Sequence, residues 1–244
     1  MNIKLNELLA KANKNDSIAQ YDLGIVYVTG NIKSAHKYIL DDEIDKNIQE
    51  GVKWLTRSSD NLYPYAKFTL GRLYTRGEGV VQNFDKAYDL LLGACVLKHT
   101  KSYYYLADLY IKGYDSKITQ EERGVHILQW LLKAALLGDF DAQSLLGIIC
   151  IGGGGGFAPI LDKILPVNSI SGLMWLNVAL ANPQRVDVNR LMEARDSISK
   201  KMGPEDINKS QQKAINFRNM SHEEIKTLNG ESLKNKFQDL ILER

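Results

Sequence analysis

The sequence predicts an all-α fold in which about four helix pairs stack on one another as a solenoid. Three observations lead there. Four segments share one internal register, a second amphipathic pattern follows each of them, and the interval from each second pattern to the next first one is constant. A repeat unit of this kind cannot bury its apolar face alone, so stacking imposes its period on the chain. No run of alternating apolar residues lies between hairpin turns, so no sheet is required.

The first helix of each pair, helix A, carries a small residue, a large apolar residue four positions on, then Gly or Ala, an apolar-aromatic pair and Gly. The copies are AQYDLGIVYVTG from Ala19, AKFTLGRLYTRG from Ala66, SYYYLADLYIKG from Ser102 and AQSLLGIICIGG from Ala142. Helical spacing puts the small residue on one stripe with Leu23, Leu70, Leu106 and Leu146, while Gly24, Gly71, Ala107 and Gly147 permit close approach of a neighbouring helix. Gly30, Gly77, Gly113 and Gly153 read as C-caps.

Helix B follows as WLTRSS from Trp54, LLLGAC from Leu90, WLLKAA from Trp130 and WLNVAL from Trp175. Trp54 to Ala66, Leu90 to Ser102 and Trp130 to Ala142 are each twelve residues. The other connection varies: Gly24 to Trp54 is 30 residues, Gly71 to Leu90 is 19, Ala107 to Trp130 is 23 and Gly147 to Trp175 is 28. Insertions are therefore free at one end of the hairpin only, including those at 31–47 and 152–168. The same offset places an unpaired helix B at ELLAKA from Glu7, and continues past Trp175 to Asp187 and Leu191. Gly203 and Pro204 open a helix to about Met220, and Ser221 to Glu224 has capping-box spacing for a last one. The expected organisation is a repeat array with its N-terminal cap over 1–183 and a helical cap and tail over 184–244.

Composition narrows function. The chain is 44% apolar and 25% charged, which suits a folded core. Its formal charge of +2 supplies no single-sign field for nucleic acid. No apolar stretch reaches the roughly 18 residues of a membrane span. The N-terminal MNIKLNELLAKANKND reads as an amphipathic helix, not a secretory leader, and two cysteines make no disulfide framework, so a cytoplasmic location is expected.

Catalytic and metal motifs fail on spacing. Gly152 to Gly156 lack the Gly-Lys-Ser/Thr of a phosphate loop, and Phe157 stands where a dinucleotide motif needs glycine. The acidic cluster Asp41, Asp42, Glu43 and Asp45 breaks at Lys46 and Val52, so it is no calcium loop. His36, His99, His126 and His222 share no ligand spacing, and most of them read as surface residues. Cys95 and Cys150 fall on apolar stripes and read as buried thiols. No cofactor is called for. Tyr21, Tyr27, Tyr74, Tyr104 and Tyr110 occupy repeat positions and read as core. Tyr103 and Tyr105 flank Tyr104, so at least one of them faces outward, as interface aromatics do.

At these residues the chain resembles the Sel-one-like repeats, relatives of the tetratricopeptide repeat. The A-x-x-x-L-G-x-x-Y-x-x-G and W-L-x-K-A-A patterns carry the resemblance over about residues 5–180, best in 66–95 and 102–135. Ala107, Cys150 and Leu90 depart from the usual Gly, Tyr and Trp, and the cysteine-rich pattern of some secreted members is absent. The resemblance implies a right-handed α/α superhelix without catalytic residues, acting as an adaptor that binds protein partners, often in bacterial signalling or host interaction. By the same resemblance helix A lines a concave groove, which assigns partner contacts to Asp22, Lys67, Thr69, Arg72, Tyr103, Tyr105, Asp108 and Gln143. Two other readings stay open: an effector delivered to a host by a specialised secretion system without a cleaved signal, and a hydrolase joining Asp42 and His36 to the 152–157 segment.

Overall fold

The structure is a computed structural model that describes residues 5–30, 45–115, 117–153, 161, 167–182, 188–220, 235 and 239–240. Among them run eleven helices and no strand: α1 (Leu5–Asn13), α2 (Ser17–Thr29), α3 (Ile48–Asp60), α4 (Pro64–Arg76), α5 (Phe84–Val96), α6 (Lys101–Ile111), α7 (Gln120–Leu136), α8 (Phe140–Cys150), α9 (Ser169–Leu180), α10 (Asn189–Ser199) and α11 (Pro204–Arg218). The four helix-A segments are α2, α4, α6 and α8. Helix B is α1, α3, α5, α7 and α9. The helix expected from Ser221 lies outside the described residues.

The chain divides into two compact units, Met1–Tyr105 and Leu106–Arg244. In the first, α1 packs on α2, α2 on α3, α3 on α4 and α4 on α5. Its interior is a succession of small cores. Leu8, Ala12, Ala19, Leu23, Val26 and Trp54 join the first three helices, and Tyr21, Leu55, Ala66, Leu70 and Leu73 join α2 to α3 and α4. In the second unit α7 packs on α8 and α8 on α9, while α10 and α11 both settle on α9. Trp175 of α9, fully buried, meets Phe217 of α11 edge-on at 5.0 Å. The small residues Ala19, Ala66, Ser102 and Ala142 are all buried, as are the leucines four positions on. Each such leucine contributes about 1.5–3 kcal/mol by leaving water.

The glycine after that leucine has a specific neighbour. A methyl on Gly24 would stand 2.6 Å from Leu55, one on Gly71 2.7 Å from Leu91, and one on Gly147 2.9 Å from Leu176. Each leucine is the residue after the helix-B anchor, so the two helices touch through the space that the missing side chain leaves.

The twelve-residue offset also has a structural cause. Asn15, Leu62, Lys98 and Gly138 each stand eight residues after Glu7, Trp54, Leu90 and Trp130, and all four adopt the left-handed conformation, with φ of 70°, 58°, 65° and 86°. The next residue donates its N–H five residues back: Asp16 to Lys11, Tyr63 to Ser58, His99 to Ala94 and Asp139 to Ala134, at 2.9–3.3 Å. This is a Schellman turn, which closes helix B and starts helix A after a set number of residues.

The variable connection is pinned too. Asn47, Asn83 and Asn168 stand seven residues before Trp54, Leu90 and Trp175, and each caps its helix by accepting from an N–H three residues on. Their own N–H groups donate to the carbonyls of Tyr27, Tyr74 and Cys150, at 2.8, 3.1 and 2.8 Å. Connections of different length thus land on the same point of helix A. In the third pair α7 starts earlier, behind a capping box of Thr119 and Glu122. Gly30 and Gly77 are left-handed C-caps as expected. At the end of α8 that conformation falls on Gly152, not Gly153, and α8 ends at Cys150, two residues short of the register of α2 and α4.

A buried amide clasp recurs in both units. Gln20 donates to the Ala12 carbonyl at 3.0 Å and accepts from Asn61 at 2.9 Å. Gln143 does the same with Ala135 and Asn182, at the same distances. Each glutamine thereby ties the preceding helix B to the following one.

Leu62 and Lys98 occupy a backbone conformation that costs a side-chain-bearing residue about 1–2 kcal/mol. Leu62 is 63% exposed, so it gives up little burial when replaced. Leu62→Gly and Lys98→Gly are each expected to raise the thermal unfolding midpoint, read by circular dichroism. Gly138→Ala, whose methyl meets nothing within 4 Å, is expected to lower the midpoint through a loss of about 1 kcal/mol of stability on conformation alone. A lower midpoint for both glycine variants would show that these turns are not held by left-handed geometry.

Candidate partner-binding surface

In the first unit the start of helix A collects aromatic rings. Helical spacing sets Tyr65, Phe68, Thr69 and Arg72 along one face of α4, and Tyr63 caps the same helix without a side-chain cap bond. Tyr21 of α2 lies 5.2 Å from Tyr63 and 6.2 Å from Tyr65, ring centre to ring centre. Tyr63 and Tyr65 are 5.5 Å apart. Tyr65 meets His99 edge-on at 4.9 Å, His99 meets Phe68 at 4.4 Å, and Phe68 meets Tyr105 edge-on at 5.0 Å. The row is continuous. Tyr21 is buried, Tyr65 is 41% exposed, and Tyr63, Phe68, His99 and Tyr105 are half-buried. The Arg72 guanidinium sits 5.7 Å from the Phe68 ring centre and 5.3 Å from that of Tyr105, within cation–π range.

Burial sets the ionisation along this row. It raises the Tyr21 phenol, against a hydrogen bond from Thr69 that favours the phenolate, and the Asp22 carboxylate raises it further. Tyr63 is pushed up to about 12, by burial first and by Asp22 second. His99 is pushed down to about 4, by burial first and by the Lys101 charge second, and its Nδ1 shares a 2.8 Å hydrogen bond with Ser102 Oγ. At neutral pH these groups are uncharged: protonated phenols and a neutral imidazole. The surface therefore presents rings and neutral polar groups instead of ionised ones along this row.

Four of the eight sequence-assigned contact residues gather here. Thr69, Arg72 and Tyr105 belong to the row itself, and Asp22 is buried beside Tyr21 and Tyr63. Lys67 lies instead along α5, where its side chain faces Gly93, and Tyr103 lies beside the Cys95 thiol. Asp108 and Gln143 fall in the second unit: Asp108 pairs with Lys112 one turn on, and Gln143 is interior, spent on the amide clasp. Asp22 and Gln143 therefore offer no exposed side chain, because the helix-A positions next to the apolar stripe are covered by the adjoining helices.

Sequence reasoning missed Tyr63, Tyr65, Phe68 and His99. The spacing of Tyr65, Phe68 and Arg72 on one helix held the signal, but His99 joins them only through the turn that precedes α6. In the second unit His126 stacks on Tyr110 at 4.9 Å. Cys95 and Cys150 are buried and free, each pushed up to about 12 by burial. Asp41, Asp42, Glu43, His36, His222, Phe157 and Gly154 to Gly156 lie outside the described residues. Among the described residues no group of three His, Cys, Asp or Glu is placed to hold a metal, and no helix is long and apolar enough to cross a membrane.

The depressed His99 value carries a pH signature. Unfolding returns His99 to its ordinary 6.5, so between pH 6.5 and 4 the unfolded chain binds a proton that the folded chain refuses. Its contribution to stability is complete above pH 6.5 and declines as pH falls toward 4. Denaturant unfolding at stepped pH is expected to show that decline, and His99→Phe to flatten it. An identical slope in the variant would place the titration elsewhere.

No protein-family model matches the chain, and no curated protein sequence matches it. Solved structures do. A Sel1 repeat protein from Oxalobacter formigenes superimposes with a TM-score of 0.58 at 22% identity, over 86% of this chain and 76% of that one. A protective antigen of uropathogenic Escherichia coli with an SLR fold aligns with a TM-score of 0.47 at 19% identity, over 96% of this chain and 50% of that one. The all-helical order, the recurring helix-pair turns and the similarity to the Oxalobacter protein together give this chain the fold of the Sel1-like repeat proteins.

Proposed function

We propose that the chain is a non-enzymatic interaction module that holds a segment of a partner protein against the aromatic surface of its first unit. One observation carries the reading: six rings, Tyr21, Tyr63, Tyr65, His99, Phe68 and Tyr105, run in unbroken contact, with centres 4.4–6.2 Å apart. Rings that are part apolar and part hydrogen-bonding are what protein interfaces concentrate, since they give a large contact area at small entropic cost. The raised tyrosines and the neutral histidine supply no activated nucleophile, and both thiols are buried and protonated. Similarity to other repeat proteins supports this reading through the fold alone.

Affinity purification of the full chain followed by mass spectrometry tests it. Tyr65→Ala combined with Tyr105→Ala is expected to deplete the specific partner at least tenfold, in line with the loss of two interface aromatics worth about 1 kcal/mol or more each. Val81→Ser, at a position 88% exposed and away from the row, is expected to retain it. Full retention of every specific partner by the double variant would remove the proposal.

A further inference from the structure

Arg72 places a positive charge beside the aromatic row, and Asp22, whose Oδ2 is buried without a hydrogen-bond partner, lies deeper beneath it. The Arg72 Nε is also buried and has no hydrogen-bond partner, and among the described residues its guanidinium makes no ion pair. What it touches are the rings of Phe68 and Tyr105. Ring contact uses none of its N–H donors, of which a guanidinium has five in a planar fork suited to a carboxylate. The neighbouring acid, Asp22, is fully buried beside Tyr21 and Tyr63. A second positive charge, Lys101, is felt at His99 on the same row. A basic segment laid here would meet two like charges. A neutral one would leave a half-dehydrated cation covered and unpaired, which is costly. The row is also too long for a small anion alone: an extended peptide advances about 3.3 Å per residue, so the rings run alongside several residues.

We infer that this surface selects acidic peptide segments, with Arg72 accepting a Glu or Asp carboxylate and the Tyr65–Phe68 rings accepting an apolar or aromatic side chain beside it. The inference rests on the peptide-binding reading above and adds the chemistry of the partner. The carboxylate fills the donors that the rings leave idle, and low exposure strengthens the pair relative to one in open water.

Selection of phage-displayed random dodecapeptides on the full chain tests it. The expected outcome is enrichment of Asp or Glu within a few residues of an aromatic or leucine. The most enriched peptide, synthesised with a fluorescein label, is then titrated by fluorescence polarisation. Replacing its acid by Gln, or making Arg72→Gln in the protein, is expected to weaken binding about tenfold or more. The two losses together should fall short of their product, the mark of a direct pair. Arg76→Gln, one turn further along α4 and paired with Glu78, should leave the affinity unchanged. The peptide variant is read against the native protein, so the result stands even where Arg72→Gln folds poorly. Selected peptides that depend on Tyr65 but carry no acid, or that tolerate its loss, overturn the acidic preference and leave the peptide-binding surface in place. Selections that yield no peptide whose binding responds to Tyr65→Ala overturn both.

Discussion

The architecture depends on one backbone constraint, the left-handed residue that ends each described helix B of the array from α1 to α7. Because Asn15, Leu62, Lys98 and Gly138 turn the chain the same way, each following helix A starts at the same distance and in the same rotation. Its small residue and its leucine then fall on the buried stripe. Gly138 and Asn15 take this conformation readily, but Leu62 and Lys98 do not, so there it is imposed by the hydrogen bonds of the turn and the packing on either side. The opposite connection varies in length but is tied by a backbone bond from Asn47, Asn83 or Asn168 to helix A. With both ends held, length differences between repeats do not shift the register of the helices.

Once the turns set the helices, contact between them is decided by missing atoms. Gly24, Gly71 and Gly147 leave room for Leu55, Leu91 and Leu176, and close approach of this kind buries a leucine without a cavity. The glutamine clasps add a polar counterpart: Gln20 and Gln143 satisfy a helix-end carbonyl and an asparagine amide in the interior, where an unmet group is expensive. These are conserved solutions within one molecule, repeated because the same packing problem recurs at each helix pair.

The aromatic row follows from that scaffold. Helix-A N-termini are brought together by the turns, so Tyr63, Tyr65 and His99, each close to the start of a helix A, meet across neighbouring repeats. Burial keeps the Tyr63 phenol and the His99 imidazole neutral, and the Arg72 Nε is buried without a hydrogen-bond partner. The proposed recognition of a partner segment rests on these rings and on the Arg72 guanidinium that touches Phe68 and Tyr105.

The helical class, the register of the pairs, the stripe of leucines and the twelve-residue turn were legible in the amino-acid order, because each rests on near-neighbour spacing that helix geometry converts directly into a face. Arg72, Thr69 and Tyr105 were legible as surface candidates for the same reason. Gln143 and Asp22 were not legible as interior, since the helices that cover them come from other parts of the chain. Nor was the union of Tyr21 with Tyr63, or of Phe68 with His99, which are 42 and 31 residues apart in sequence and meet only when helix pairs stack. Periodicity along a chain determines which residues share a helix face; which face meets water, and which rings meet each other, depends on packing between segments, and that was decided by the tertiary structure.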